Sequence, residues 1–149
     1  MNWEKDGFSI DTDKSRLNLP YIHQYLSNSS YWAANVPWDV VERSVKGSLC
    51  FGVYHDTLQV GFARVITDFA TFGYIADVFI DEAYRGRGLS KWLMEVILAH
   101  PELQGFRRLM LATRDAHGLY ERFGFTILSF PDRWMQIHYP DRYKTNASN

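Results

Sequence analysis

The chain reads as an α/β (α+β) domain built on a mixed, partly parallel sheet, and three observations carry that reading. In "SLCFGVYHDTLQVGFARVITD" two apolar runs meet at a short polar turn, the pattern of an antiparallel hairpin. In the second half strand, helix and strand alternate, which calls for a right-handed crossover and a parallel strand pair. The whole chain has 149 residues, 46% hydrophobic and 16% aromatic, enough for one domain, 1–149, with its own core.

The elements follow in order. "FSIDT" alternates as a short first strand. In "LNLPYIHQYLSNSS" apolar side chains recur at Ile22, Tyr25 and Leu26, a helical spacing that starts around Pro20. "VPWDVVERSVKG" is a second helix, with Pro37 near its start and Gly47 past its end. The hairpin comes next, turning at His55-Asp56-Thr57, and then "TFGYIADVFI", rich in β-branched and aromatic residues, as a central strand. Leu89, Trp92, Leu93, Val96 and Ile97 share one helical face, and His100 and Pro101 end that helix. "FRRLMLAT" is a strand, and "AHGLYERFG" a short helix stopped by Gly124. "FTILSF" and "RWMQIHY" read as two final strands, and the polar tail over 141–149 is expected to be flexible.

Composition excludes several classes. A formal net charge of -1 offers no electrostatic case for nucleic acid or an anionic membrane. The N-terminus has no apolar signal core, and no run reaches the roughly 18 apolar residues of a membrane span. The one cysteine, Cys50, sits in a strand, makes no internal disulfide and suits a reducing cytoplasm. The five histidines are scattered without ligand spacing, so no metal is expected.

The stretch from Asp81 to Leu93, "DEAYRGRGLSKWL", carries the chemistry. The P-loop pattern is absent, and the dinucleotide fingerprint that begins at Gly86 and Gly88 fails at Lys91. What remains is a glycine-bearing turn that opens a helix. The first N–H groups of a helix are unpaired and its dipole favours anions, while glycines remove the Cβ atoms that block a phosphate oxygen. Arg85, Arg87 and Lys91 add positive charge. Two readings stand: a phosphate cradle, or a solvated basic turn. An RNA-binding RG motif is a third, weakened by the charge balance.

"YIADVFIDEAYRGRGLSKWLMEVIL" resembles the central motif of the Gcn5-related N-acetyltransferases, the GNAT superfamily. In its [RQ]-x-x-G-x-[GA] signature Arg85 and Gly88 match, and Ser90 is a small departure at the last position. "LYERFGF" resembles the second motif, a tyrosine-bearing helix followed by Gly-Phe, and the clear likeness runs from Leu49 to Phe125.

The resemblance implies a GNAT-type mixed, mostly antiparallel β-sheet flanked by helices, whose splayed central strand pair binds acetyl-CoA. It implies that the pantetheine arm pairs along Val78, Phe79 and Ile80, and that Arg85, Gly86, Arg87, Gly88, Leu89, Ser90 and Lys91 hold the pyrophosphate. It makes Tyr120 the general acid that protonates the departing sulfur. The implied reaction is direct attack by a primary amine, which needs no Ser-His-Asp or Cys-His arrangement, and none is present. Where some relatives place a glutamate this chain has Ala76, so Asp77 is either the base, directly or through water, or a brace for the acceptor loops. Tyr74 and Asp115 are weaker candidates, Asp115 standing where a helix cap is expected. Tyr31, Trp32, Trp38 and Trp134 either form an aromatic wall for the acceptor or complete the core. Arg64 and Arg133 either meet an acceptor carboxylate or face water. A small-molecule amine is favoured as acceptor, with a homodimer left open. The rival reading is an acyl-CoA-binding regulatory module without turnover.

Overall fold

The sheet begins earlier than "FSIDT" predicts. In the computed structural model, which describes residues 1–144, β1 (Asn2–Lys5) and β2 (Phe8–Asp11) form an antiparallel hairpin. Its turn is Asp6-Gly7, both at positive φ, 52° and 84°, which a two-residue hairpin loop demands. The expected single strand is therefore half of a pair, and the Asp-Gly dipeptide is the signal for it.

Helix α1 (Leu19–Asn28) has Pro20 in its first turn and is capped by Asn18, whose side chain accepts from the Tyr21 N–H. Helix α2 (Trp38–Lys46) stops at Gly47. Strands β3 (Leu49–His55) and β4 (Leu58–Thr67) are the predicted hairpin, with Asp56 in the left-handed region at φ 55°. Strand β5 (Phe72–Ile80) pairs antiparallel with β4, α3 (Leu89–Ala99) crosses over, and β6 (Arg108–Leu111) returns parallel to β5. Helix α4 (His117–Glu121) follows. The sheet order is β1-β2-β3-β4-β5-β6 with only the last pair parallel: a mixed, mostly antiparallel sheet flanked by helices.

Alternation in β3 sends Phe51 and Val53 to one face and Cys50 to the other. The first face is covered by α3 through Leu93, Met94 and Ile97, the second by α1 and α2 through Ile22, Leu26, Val41 and Val45. Burial pushes the Cys50 thiol up to about 11, which marks it as a structural residue.

Strand β5 changes facing midway. Ile75 packs on the α3 side, Phe79 on the α1/α2 side, and Ile80 on the α3 side again. Residues four apart in a regular strand share a face. The pairing with β4 steps from Arg64 opposite Ala76 to Phe62 opposite Phe79, so β5 holds one extra residue. This is a bulge, with Asp77 at φ 55°.

The two strands expected at the C-terminus do not form. Phe125–Phe130 and Trp134–Tyr139 have no regular secondary structure, Arg133 ends a 3-10 turn, and neither stretch pairs with a strand among the described residues. Local composition dictates an extended backbone; a ladder also needs a free edge brought alongside, and here the segment stands off β6. Asp141–Lys144 form a turn whose Tyr143 packs beside α1 and α2, and the flexibility expected of 145–149 falls outside the described residues.

Candidate active site

The bulge opens the sheet. β5 pairs with β6 only from Phe72 to Ile75, opposite Arg108 to Leu111. Beyond that point Ala76–Ile80 keep β4 on one edge and have no strand on the other among the described residues. Val78, Phe79 and Ile80 therefore present one free backbone edge even though Phe79 and Ile80 are each only 4% exposed. Core side chains and a free edge coexist because pairing uses the backbone alone.

The edge leads into the glycine turn. Gly86 and Gly88 both have φ of 78°, and a Cβ built on either would meet nothing within 4 Å, so the space above them is open. Gly88 is the N-cap residue of α3 and supplies no side-chain cap. The amides of Gly86, Arg87, Gly88, Leu89, Ser90 and Lys91 have no hydrogen-bond partner among the described residues. Unpaired donors at the positive end of an eleven-residue helix fit an anion of phosphate type. The cations divide. Arg85 turns inward, donating from Nε to the Ile80 carbonyl at 3.1 Å and from a terminal nitrogen to the Tyr25 hydroxyl at 2.8 Å. It ties the turn to β5 and α1 through neutral oxygens, and, still exposed, it keeps its charge beside the turn. Arg87, over the Tyr84 ring at 5.3 Å, and Lys91 are exposed.

On the α1/α2 side of the splay lies a cavity of about 740 Å³ lined by Tyr31, Trp32, Arg64, Asp77, Val78 and Tyr120, among others. Asp77 is fully engaged there. Its Oδ2 accepts from Arg64 Nε at 2.6 Å and its Oδ1 from the Trp32 indole at 2.9 Å. Arg64 also donates to the Ser48 hydroxyl at 3.1 Å. Arg64 lines the cavity with its charge already paired, because a cation on the inward face of a strand needs an anion, and Asp77 on the next strand is it. Tyr120 is half-buried at the far wall; burial, with the nearby Tyr31, raises its pKa, so the hydroxyl keeps its proton.

The four expected aromatics separate. Tyr31 and Trp32 meet edge to face at 5.1 Å on the cavity. Trp38 packs on His23 at 5.5 Å, and Trp134 lies under Arg108 at 4.7 Å beside a different groove. Trp38 and Trp134 are therefore not part of this wall; they belong to other segments that the fold carries away from it. Arg133 sits over Phe130 at 4.0 Å, also away. Tyr74 and Asp115 do line the cavity, but Asp115 is not a cap: the residue before α4 is Ala116, whose N–H goes to Thr113 Oγ1 at 3.0 Å. Arg114 and Tyr143 are among the lining residues that were not foreseen. Arg114 lies over the Tyr31 ring at 3.8 Å and its N–H reaches the Tyr31 hydroxyl at 3.3 Å, while Tyr143 returns from the tail. Neither carries a motif that marks it.

A parted parallel strand pair, a bulge at the parting and an uncapped glycine-led helix together define the architecture that the resemblance implies. The comparisons with known proteins agree. The model of the acetyltransferase (GNAT) family matches residues 16–125, and the chain belongs to that family. The curated protein named "Putative acetyltransferase FG08082", from Gibberella zeae, is 31% identical, covering 80% of this chain and 79% of its own. A GNAT-family crystal structure from Xanthomonas campestris pv. campestris (xcc2953) superposes with a TM-score of 0.92 at 48% identity, over 95% of this chain and all of that one. A GNAT acetyltransferase of Elizabethkingia anophelis, solved with acetyl-CoA bound, shares the fold at a TM-score of 0.63 and 16% identity, over 91% of this chain and 90% of its own. No helix among the described residues is long and apolar enough to cross a membrane.

Proposed function

We propose that this acetyltransferase acts on the primary amine of a small molecule, taking the acetyl group from acetyl-CoA by direct attack. The observation that carries the reading is the continuity of the free edge at Val78–Ile80 with the unpaired amides of 86–91 at one end and the Tyr120 cavity at the other. Acetyl-CoA supplies an acetyl thioester and a pyrophosphate. The edge of β5 offers backbone pairing to the pantetheine amides, and the 86–91 amides offer donors to the pyrophosphate. Tyr31 and Trp32 form the acceptor wall, held against β4 through the Asp77–Arg64 pair. As the amine nitrogen bonds to the acyl carbon and the carbon–sulfur bond breaks, Tyr120 gives its proton to the sulfur. The proton released by the amine goes to water in the cavity, which Tyr74 and Asp115 also line. Asp77 has both oxygens occupied and serves as the brace.

That same occupancy favours the rival, an acyl-CoA-binding module without turnover, because the carboxylate next to Val78 in β5 is already paired. Calorimetric titration with acetyl-CoA, followed by thiol release over a panel of small amines, separates the two. Micromolar binding with acceptor-dependent thiol release is the expected result. Binding without release from any amine leaves the regulatory module, and no binding at all removes both.

A further inference from the structure

The cavity beside Asp77 is lined by two arginines, Arg64 and Arg114, and the fold uses them differently. Arg64 turns its donors on the protein, Nε to Asp77 at 2.6 Å and a terminal nitrogen to the Ser48 hydroxyl at 3.1 Å. Arg114 does not. Among the described residues its hydrogen bond is made by its backbone N–H, and its side chain joins no ion pair. The guanidinium carbon instead lies 3.8 Å from the centre of the Tyr31 ring. An aromatic face holds a guanidinium flat and occupies none of its N–H groups, which all point outward in one plane.

The placement of this group does not depend on its charge. The Arg114 N–H reaches the Tyr31 hydroxyl at 3.3 Å, which joins the loop after β6 to the loop after α1. Tyr31 in turn packs on Trp32, whose indole is tied to Asp77. A flat cation with unused donors is therefore braced on the wall of the cavity that also reaches Val78 and Tyr120. Asp115 lines the same cavity and joins no ion pair among the described residues either. Two opposite charges, side by side in sequence and not cancelled by each other, suit a molecule that carries both signs.

We propose that Arg114 binds a carboxylate of the acceptor, so that the substrate class is an amine of amino-acid type. The inference rests on the acetyltransfer reading and deepens it. A planar fork of N–H donors matches the two oxygens of a carboxylate. A doubly charged phosphate fits less well, because Arg64 is already neutralised and Asp115 repels a second negative charge. The acceptor's ammonium end meets Asp115 before it gives up its proton. The cavity of about 740 Å³ leaves space for an apolar side chain along Val36, Val40 and Tyr143.

The test compares acceptors in matched pairs. Thiol release from acetyl-CoA is followed with each common L-amino acid, with its methyl ester, with simple alkylamines and with O-phosphoethanolamine. The ester's amine loses its proton more readily than the free acid's, so a preference for the acid reports the carboxylate. The expected kcat/KM favours the best acids over their esters by roughly tenfold or more. Arg114→Gln keeps the backbone bond to Tyr31 and removes the charge at an exposed position. In that variant KM for the acids is expected to rise about 10- to 100-fold, the worth of one charge-assisted hydrogen bond, while their kcat holds. The acids then lose their advantage over the esters. Esters or alkylamines that match the acids in the wild type overturn the proposal, as does an acid preference that survives Arg114→Gln. A preference for O-phosphoethanolamine over every acid overturns the carboxylate assignment. Binding of acetyl-CoA without release from any of these amines is a different failure, which removes the acetyltransfer reading and this inference with it.

Discussion

Tyr120 lines both the cavity beside Asp77 and the groove beside Trp134, with its pKa raised by burial and then by Tyr31. A group that must arrive protonated at neutral pH gains from that shift. Replacing Tyr120 by Phe removes the proton and keeps the ring that packs on Phe125 at 6.1 Å. kcat is expected to fall roughly 100- to 10,000-fold, the range of general acid–base catalysis, with acetyl-CoA affinity unchanged by calorimetry. At the cradle, the left-handed φ of Gly88 makes any side chain there strained, so Ser90 in the first turn of α3 is the cleaner probe. Ser90→Glu places a negative charge where a helix tolerates it, and the melting temperature should hold or rise. Acetyl-CoA affinity is expected to drop by roughly a hundredfold or more, since like charges 4 Å apart repel by about 4 kcal/mol at intermediate dielectric. Unchanged affinity in that variant would end the phosphate reading. The residue types of the cradle were legible in the chain because glycines and a helix start leave a local pattern. The inward turn of Arg85 was not, because its partners Ile80 and Tyr25 come from two other elements.

β5 decides the site at the scale of the element. One extra residue frees its second half from β6 and turns Asp77 toward Trp32 and Arg64. Asp77→Asn keeps an acceptor for the indole and tolerates the left-handed backbone, so it removes the charge and the acceptor that faces Arg64. Side-chain exposures of 16% for Arg64 and 10% for Asp77 place the pair near the buried limit. Leaving Arg64 unpaired should cost about 2–4 kcal/mol in urea unfolding, slightly below the cost of breaking a fully buried pair. The acceptor KM should rise while the acidic limb of the kcat/KM profile stays in place. A limb that vanishes with stability intact would make Asp77 the base after all. Strand composition predicts β5 well. Strict alternation along it fails, because a bulge is a response to the neighbouring strands' register and has no dependable local signal.

Over the whole molecule, folding withdraws His100 from water. The ring lies 3% exposed between Trp3 and Phe51, and its Nδ1 accepts from the Glu102 N–H at 3.1 Å. Burial lowers its pKa against the opposing pull of the Glu102 carboxylate. In the unfolded chain the ring titrates near 6.5. Above that value both states are neutral and the contribution is complete. As pH falls below it the unfolded chain takes up a proton that the folded one does not, and stability declines by up to about 1.4 kcal/mol per pH unit until the folded ring also titrates. His100→Asn keeps an acceptor for the Glu102 N–H and should flatten the stability profile between neutral pH and 5, measured by denaturant unfolding at each pH. A slope equal to the wild type's would remove His100 from the acid response.

By itself the sequence determined the helices, the central hairpin, the crossover from β5 to β6, the glycine turn that opens α3 and the family likeness, because each rests on periodicity, turn chemistry or a short contiguous motif. Only the tertiary structure decided which aromatics face the cavity beside Asp77, that Arg64 and Asp77 neutralise one another, and that the two C-terminal stretches lack a strand partner among the described residues. Those outcomes depend on which segments meet across long stretches of sequence, and a partner's position leaves no mark on the residues that wait for it.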